Sequence, residues 1–190
     1  MIRDLAISIR STLTLWLLTA LLYPLLILAI GQIAFPYQAN GSLITDANGQ
    51  AIGSALIGQT FTRDRYFWGR PSPINYSEGD AAAPTGLSGA SNLGPDNPVL
   101  LERIQATAQT LASKGVSPTA DLLYTSGSGL DPHISLAAAQ AQIPRVAQAR
   151  SLSPQQIQAL IDRHTEHPFL GIFGEPGVNV LTLNLDLDRL

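Results

Sequence analysis

The chain contains no cysteine. That absence removes disulfides, thiolate metal sites and cysteine nucleophiles together, and it leaves the redox compartment open, because a cysteine-free chain suits either side of a membrane. Clustered basic charge is missing too. With 11 Lys and Arg against 14 Asp and Glu, and a net charge of -3, the chain lacks the basic footprint that binds phosphate backbones, which argues against nucleic acid as a partner. No G-x-x-x-x-G-K-[ST] loop is present, and Gly127-Ser128-Gly129 lacks the third glycine and the apolar helix of a dinucleotide fingerprint. By its own motifs the chain is not an NTPase. G-x-S-x-G is absent, and no internal repeat points to a solenoid or array.

Charge is absent altogether from Ser11 to Asn40, and Leu13 to Phe35 is almost continuously apolar. At about 1.5 Å per residue this run reaches roughly 34 Å, enough to cross a hydrocarbon core of about 30 Å. Its leucines and isoleucines favour insertion over the penalties of Pro24 and Gln32. A cleaved secretory signal is the rival reading, since Arg3 and Arg10 precede the run and Ala29-Ile30-Gly31 resembles a cleavage site; the run, however, continues past that point. The same two arginines, set against Asp46 and no basic residue before Arg63 on the other side, place the N-terminus in the cytoplasm. The expected organisation is a short cytoplasmic N-terminus at 1–10, a transmembrane helix at 11–36 and an extracytoplasmic soluble domain at 37–190. Pro24 removes a backbone donor inside the helix and predicts a kink.

Ser42 to Ile44 and Ala51 to Ile57 read as two strands around an Asn48-Gly49 turn. Pro71 to Pro98, rich in Pro, Gly, Ser and Asn, follows neither hydrophobic period and reads as a long loop. Asn97-Pro98 opens a helix whose face carries Leu100, Leu101, Ile104, Ala108 and Leu111 until Gly115 stops it. Asp121 to Thr125 reads as a short strand. Ser135 caps a helix towards Arg150 that Pro144 interrupts, and Ser153-Pro154 opens another through His164. From Val180 to Asp188 apolar and polar residues alternate, which predicts a half-buried strand. The fold class expected is α/β (α+β): one N-terminal transmembrane helix followed by a compact mixed outer domain.

Three clusters carry candidate chemistry. Ser126, Gly127, Ser128, Asp131 and His133 form the densest polar stretch, which reads either as part of a hydrolase site or as a turn whose glycines supply unusual dihedrals and whose polar side chains cap and bond locally. His164 and His167, three apart, have metal-ligand spacing with Glu166 or Glu175, but a solvated helix end explains them more simply, so no metal site is expected. Arg63, Arg65, Tyr66, Phe67, Trp68 and Arg70 interleave arginines with aromatics, the residue types of interface hot spots. Equally, the aromatics could fill the core while the arginines point outward.

Taken together, the blocks Gly53-Ser54-Ala55-Leu56-Ile57-Gly58-Gln59, Tyr66-Phe67-Trp68-Gly69-Arg70-Pro71-Ser72, Ser91-Asn92-Leu93-Gly94-Pro95-Asp96-Asn97-Pro98, Ser126 to Ser135, Gln142-Ile143-Pro144-Arg145-Val146-Ala147 and Val178 to Asn184 resemble the C-subunit family of the bacterial Kdp potassium-transporting P-type ATPases, in that family's order and over nearly the whole chain. At Leu87-Ser88-Gly89-Ala90-Ser91 the chain departs from it, with Ala90 where the family commonly has the second glycine of a Ser-Gly-Gly-Ser element. The resemblance implies a non-catalytic accessory subunit of a high-affinity, ATP-driven potassium importer in the bacterial cytoplasmic (inner) membrane. It implies three partners: a pore-forming potassium-channel-like subunit, a P-type ATPase motor and a small single-span subunit. It also implies a catalytic chaperone that raises the motor's ATP affinity, with ATP met only in a transient complex with the motor and no cofactor held firmly by this chain. The competing readings are a membrane-anchored outer-face hydrolase using Ser128, Asp131 and His133, and a tethered small-ligand-binding module.

Overall fold

The computed structural model describes residues 1–79 and 86–190, so the middle of the expected 71–98 loop lies outside the described residues. They divide into two compact units, Met1–Ser54 and Ala55–Leu190.

In the first unit, helix α1 (Ile2–Ala34) is long and apolar enough to cross a membrane, and none of its residues is buried. It begins before the expected span, so Arg3 and Arg10 lie on the same continuous helix. The kink expected at Pro24 takes the form of a π-helical segment, Leu17–Leu22, in which the Tyr23 N–H reaches back to the Leu18 carbonyl. A proline ring clashes with the carbonyl four residues earlier, and one wider turn relieves that clash without breaking the helix. A single turn, Pro36–Ala39, leads to strands β1 (Leu43–Thr45) and β2 (Ala51–Ser54), paired antiparallel as expected. Asp46 fixes the turn by accepting the N–H groups of Asn48 and Gln50, and Gly49 takes the positive φ.

In the second unit, α2 (Pro98–Ser113) starts at the Asn97 cap and buries Leu100 and Leu111, while Leu101 of the expected face is half exposed. The stretch expected as a strand at Asp121 is instead a helical turn, α3 (Ala120–Leu123), which buries Leu122 against the core. Asp121 accepts the Ser135 N–H, a bond that a strand ladder would not supply. Strand β3 (His133–Ile134) leads through the Ser135 cap into α4 (Leu136–Arg150). This helix runs on through Pro144, contrary to the interruption expected, because its buried face (Ala138, Ala139, Val146, Ala147) is held in the core. Helix α5 (Pro154–Arg163) opens with a reciprocal Ser153–Gln156 capping box. Strands β4 (Thr165–Glu166) and β5 (Gly177–Asn179) complete a small antiparallel sheet in the order β3-β5-β4.

The tail corrects the expected strand. Only Gly177–Asn179 is extended, and Val180–Leu187 forms helix α6, capped by the Asn179 side chain accepting the Thr182 N–H. Its buried residues Val180, Leu181, Leu183, Asn184 and Leu187 follow the helical spacing of three and four, and Leu185 is left half exposed. Alternate leucines satisfy both periods, so the pattern alone is degenerate. The buried Asn184 decides it: its Oδ1 accepts the Phe67 N–H at 2.8 Å and its Nδ2 donates to the Phe67 carbonyl at 2.9 Å. Gln142 on α4 treats the next residue the same way, accepting the Trp68 N–H at 2.8 Å and donating to the Trp68 carbonyl at 3.1 Å. Two buried amides on two helices thus grip consecutive residues of a segment that belongs to no strand.

Truncating Asn184 leaves both polar backbone groups of Phe67 buried without a partner, at about 1–3 kcal/mol each. We expect Asn184→Ala to lower the unfolding free energy of the full chain in detergent by about 2–4 kcal/mol. The exposed Gln155→Ala should stay within about 0.5 kcal/mol. A chemical denaturation series gives the comparison, and a loss below about 1 kcal/mol for Asn184→Ala would remove the clamp from the structural account.

Candidate functional site

The arginine–aromatic segment is sorted by the amide clamps. Phe67 is fully buried and belongs to the hydrophobic core. Trp68 packs against that core, its Nε1 donates to the Arg63 carbonyl at 3.2 Å, and the Arg145 guanidinium lies 4.0 Å from its ring centroid. Arg145 also donates to the Asp64 carbonyl and to Gln142 Oε1, and burial lowers its pKa to about 10, still charged at neutral pH. Arg63 and Arg65 are exposed. Tyr66 lies half-buried beneath Arg65 and Arg150, whose guanidinium carbons sit 5.5 and 5.1 Å from its ring centroid.

Asp188 gathers this surface. It accepts the Tyr66 hydroxyl at 2.7 Å, Arg150 at 2.7 Å and Arg65 at 3.3 Å. Burial works to raise its pKa, but the bonds from Arg150 and Tyr66 and the charges of both arginines outweigh it and hold the carboxyl below the usual range. The carboxylate in turn raises the Tyr66 phenol, through their hydrogen bond first and desolvation second. Arg150 further donates to the carbonyls of Arg65 and Leu187, tying the segment to the end of α6.

The polar loop is largely spent on its own architecture. Ser126 Oγ accepts the Gly129 N–H and Ser128 Oγ accepts the Leu130 N–H, at 2.8 and 3.1 Å. Gly129 has φ +68°, and a Cβ there would fall 2.7 Å from the Gly89 carbonyl oxygen and from Ile74, so only glycine fits. The Ser88 hydroxyl and the Gly89 N–H both donate to the Ser128 carbonyl, which joins the 87–91 segment to this loop. Gly127, by contrast, has an ordinary φ. Asp131 accepts the His133 N–H and pairs with Arg70 at 3.0 Å. The His133 ring crosses over Gly177, whose missing Cβ would stand 3.4 Å from it, and places Nε2 3.2 Å from Glu166 on the far strand, with Nδ1 3.6 Å from Asp131. Among the described residues neither Ser126 nor Ser128 offers its hydroxyl to that imidazole, so a Ser–His couple is not assembled. Both ring nitrogens of His164 are engaged, by Thr182 at 2.9 Å and Asp186 at 3.0 Å.

A cleft of about 450 Å³ is lined by Phe61, Trp68, Arg70, Tyr76, Thr107 and Leu111 among others. Its size falls within the range of small-ligand pockets. Sequence reasoning singled out Arg65, Tyr66, Asp131 and His133 but missed their partners Asp188 and Arg150, and it set Glu166 beside His164 and His167 instead of His133; these partners lie on distant stretches and share no motif with them.

Residues 5–189 match the family described as KdpC: K+-transporting ATPase, c chain. The chain is 71% identical over 189 residues to the potassium-transporting ATPase KdpC subunit of Synechocystis sp., covering all of both chains. It is 54% identical over 195 residues to KdpC subunit 1 of Nostoc sp., covering 99% of this chain and 96% of that one. To the KdpC subunit of Gloeobacter violaceus it is 50% identical over 190 residues, covering 100% and 97%.

The two carboxylates around His133 generate a pH dependence. Its pKa is raised, by the bond to Asp131 first and by Glu166, against desolvation. The stabilisation is therefore complete below an unfolded imidazole value of about 6.5 and is lost as pH rises through the higher folded value. Thermal unfolding of the full chain in detergent should show stability falling across that window, and His133→Gln should flatten the decline. The depressed carboxyls of Asp131 and Asp188 act elsewhere, losing their contribution only as pH drops below about 3.9.

Proposed function

Because this chain belongs to the KdpC family, subunits of a K+-transporting ATPase, we propose that it is a non-catalytic accessory subunit of a high-affinity, ATP-driven potassium uptake complex, needed for assembly and stability. Helix α1 anchors it in the cytoplasmic membrane with the N-terminus inside, as the Arg3 and Arg10 asymmetry favours. The span packs against the other subunits, and the outer domain docks on the pore-forming subunit. The observation that carries this reading is the full-length family match. The internal commitment of Ser126, Ser128 and Asp131 supports it against a hydrolase, since these groups already hold the loop together.

Docking contacts fall on Arg63, Arg65 and the exposed edge of Tyr66, with Trp68 and Arg70 behind them and Phe67 holding the segment from below. The Ser126–His133 loop supports the same face through the Arg70–Asp131 pair. In this topology residues 37–190 lie outside, across the bilayer from the side on which the motor binds ATP. An effect on the motor's ATP affinity therefore travels through the conformations of the assembled pump.

With a C-terminal tag and mild detergent after growth in low potassium, a pore subunit and a P-type ATPase should co-purify stoichiometrically. Recovery of the chain alone would overturn the proposal. Arg63→Glu with Arg65→Glu should reduce partner recovery several-fold while changing stability by about 1 kcal/mol or less, because both side chains are exposed.

A further inference from the structure

Apart from the terminal Leu190, the most exposed large apolar side chains among the described residues of the second unit are gathered in one loop that neither the polar clusters nor the arginine–aromatic segment includes. Phe169, Leu170, Ile172 and Phe173, between β4 and β5, are 71%, 73%, 77% and 63% exposed. The loop is internally closed. Phe169 and Phe173 exchange backbone hydrogen bonds in both directions, at 2.8 and 3.0 Å, and the N–H groups of Gly171 and Ile172 are satisfied within the turn. A directly opposed pair in such a bridge carries its side chains on one side, so the two phenyl rings share a face.

The backbone is also strained to make this display. Leu170 sits at φ +55°, a left-handed conformation that a branched side chain adopts only when the surroundings impose it. A strained leucine pointing into water gains nothing for an isolated fold. Each phenylalanine offers on the order of 150–250 Å² for burial, and exposed apolar patches of about 300–600 Å² on a monomer are commonly functional.

Charge selects the occupant. From His164 to Asp188 there is no Lys or Arg, while Glu166 and Glu175 flank the loop. An element built to enter an anionic lipid surface carries basic residues beside its apolar ones, and this one carries acids. An apolar centre with a polar rim on a pre-closed turn is the form of a protein–protein contact. We propose that the 169–173 loop is a hydrophobic plug that seats in an apolar pocket, rimmed by hydrogen-bond donors, on the outward face of a sister subunit of the pump. This rests on the accessory-subunit reading and names a second contact for it, apart from Arg63 and Arg65.

Two measurements on the assembled complex test it. A photoreactive benzoylphenylalanine in place of Phe173 should form an adduct with another pump subunit in membranes, and an adduct with lipid alone would overturn the proposal. The double substitution Ile172→Asp, Phe173→Ser should lower recovery of pump subunits about tenfold or more, the factor that about 1.4 kcal/mol of lost contact produces. Leu101→Ser, at an exposed apolar position on α2, should not. Wild-type recovery separates the two failures. If the wild type brings down the pump and the loop variant does so equally, the plug is wrong and the accessory role stands; if the wild type brings down nothing, both fall. Chain level in the membrane and resistance to limited proteolysis show that the variant folds, and for a variant failing that control the cross-link decides.

Discussion

The second unit depends on the grip of two buried carboxamides on one stretch of chain. Phe67 and Trp68 run through the interior without a neighbouring strand, and their N–H and C=O groups would be orphans there if Gln142 and Asn184 did not answer each of them. A buried backbone group without a partner is expensive enough to unfold a marginal domain. Because the amides come from α4 and α6, the same bonds fix those two helices against the segment and against each other. Everything displayed around it follows: with Phe67 locked inward, Arg63 and Arg65 emerge at the surface, and Arg65 and Tyr66 both reach Asp188.

Most of the residues that look chemical are engaged in this construction. Asn179 caps α6 and also donates to the Ala55 carbonyl, so one side chain starts the final helix and fastens the beginning of the unit. His133 spans the sheet between Asp131 and Glu166 because Gly177, on the middle strand, leaves it room. Arg150 ties the Arg65 carbonyl to the Leu187 carbonyl and the Asp188 carboxylate near the C-terminus. Two exposed surfaces among the described residues stand apart from this construction: a cationic edge at Arg63 and Arg65, and the apolar tip at Phe169 to Phe173. The two kinds differ in physics. The edge answers to salt and screening, and the tip to buried area.

The membrane helix, the first hairpin and helices α2, α4 and α5 were legible in the sequence because their signals are local. A run of uncharged apolar residues needs no partner to prefer a bilayer, and Asn97, Ser135 and Ser153 each satisfy donors within three residues. The family was legible for a related reason, since its blocks are contiguous. The tail was not. Val180 to Asp188 suits a strand or a helix equally by pattern, and the choice was made by Phe67, more than a hundred residues away. Nor was the contact at the Ala120–Leu123 turn, which forms where Asp121 meets Ser135.

The sequence by itself determined that this chain has one uncharged apolar run able to span a bilayer, where most helices start, and which family it resembles. Tertiary structure alone decided that Phe67 is core while Arg63 and Arg65 are surface, that Asp188 and Glu166 complete the charged clusters, and that four apolar residues near the end of the chain stand in solvent. The division follows the range of the interactions. Caps, turns and hydropathy act over a few residues and are written in order, whereas burial and the pairing of buried polar groups join distant positions and exist only once the chain has closed on itself.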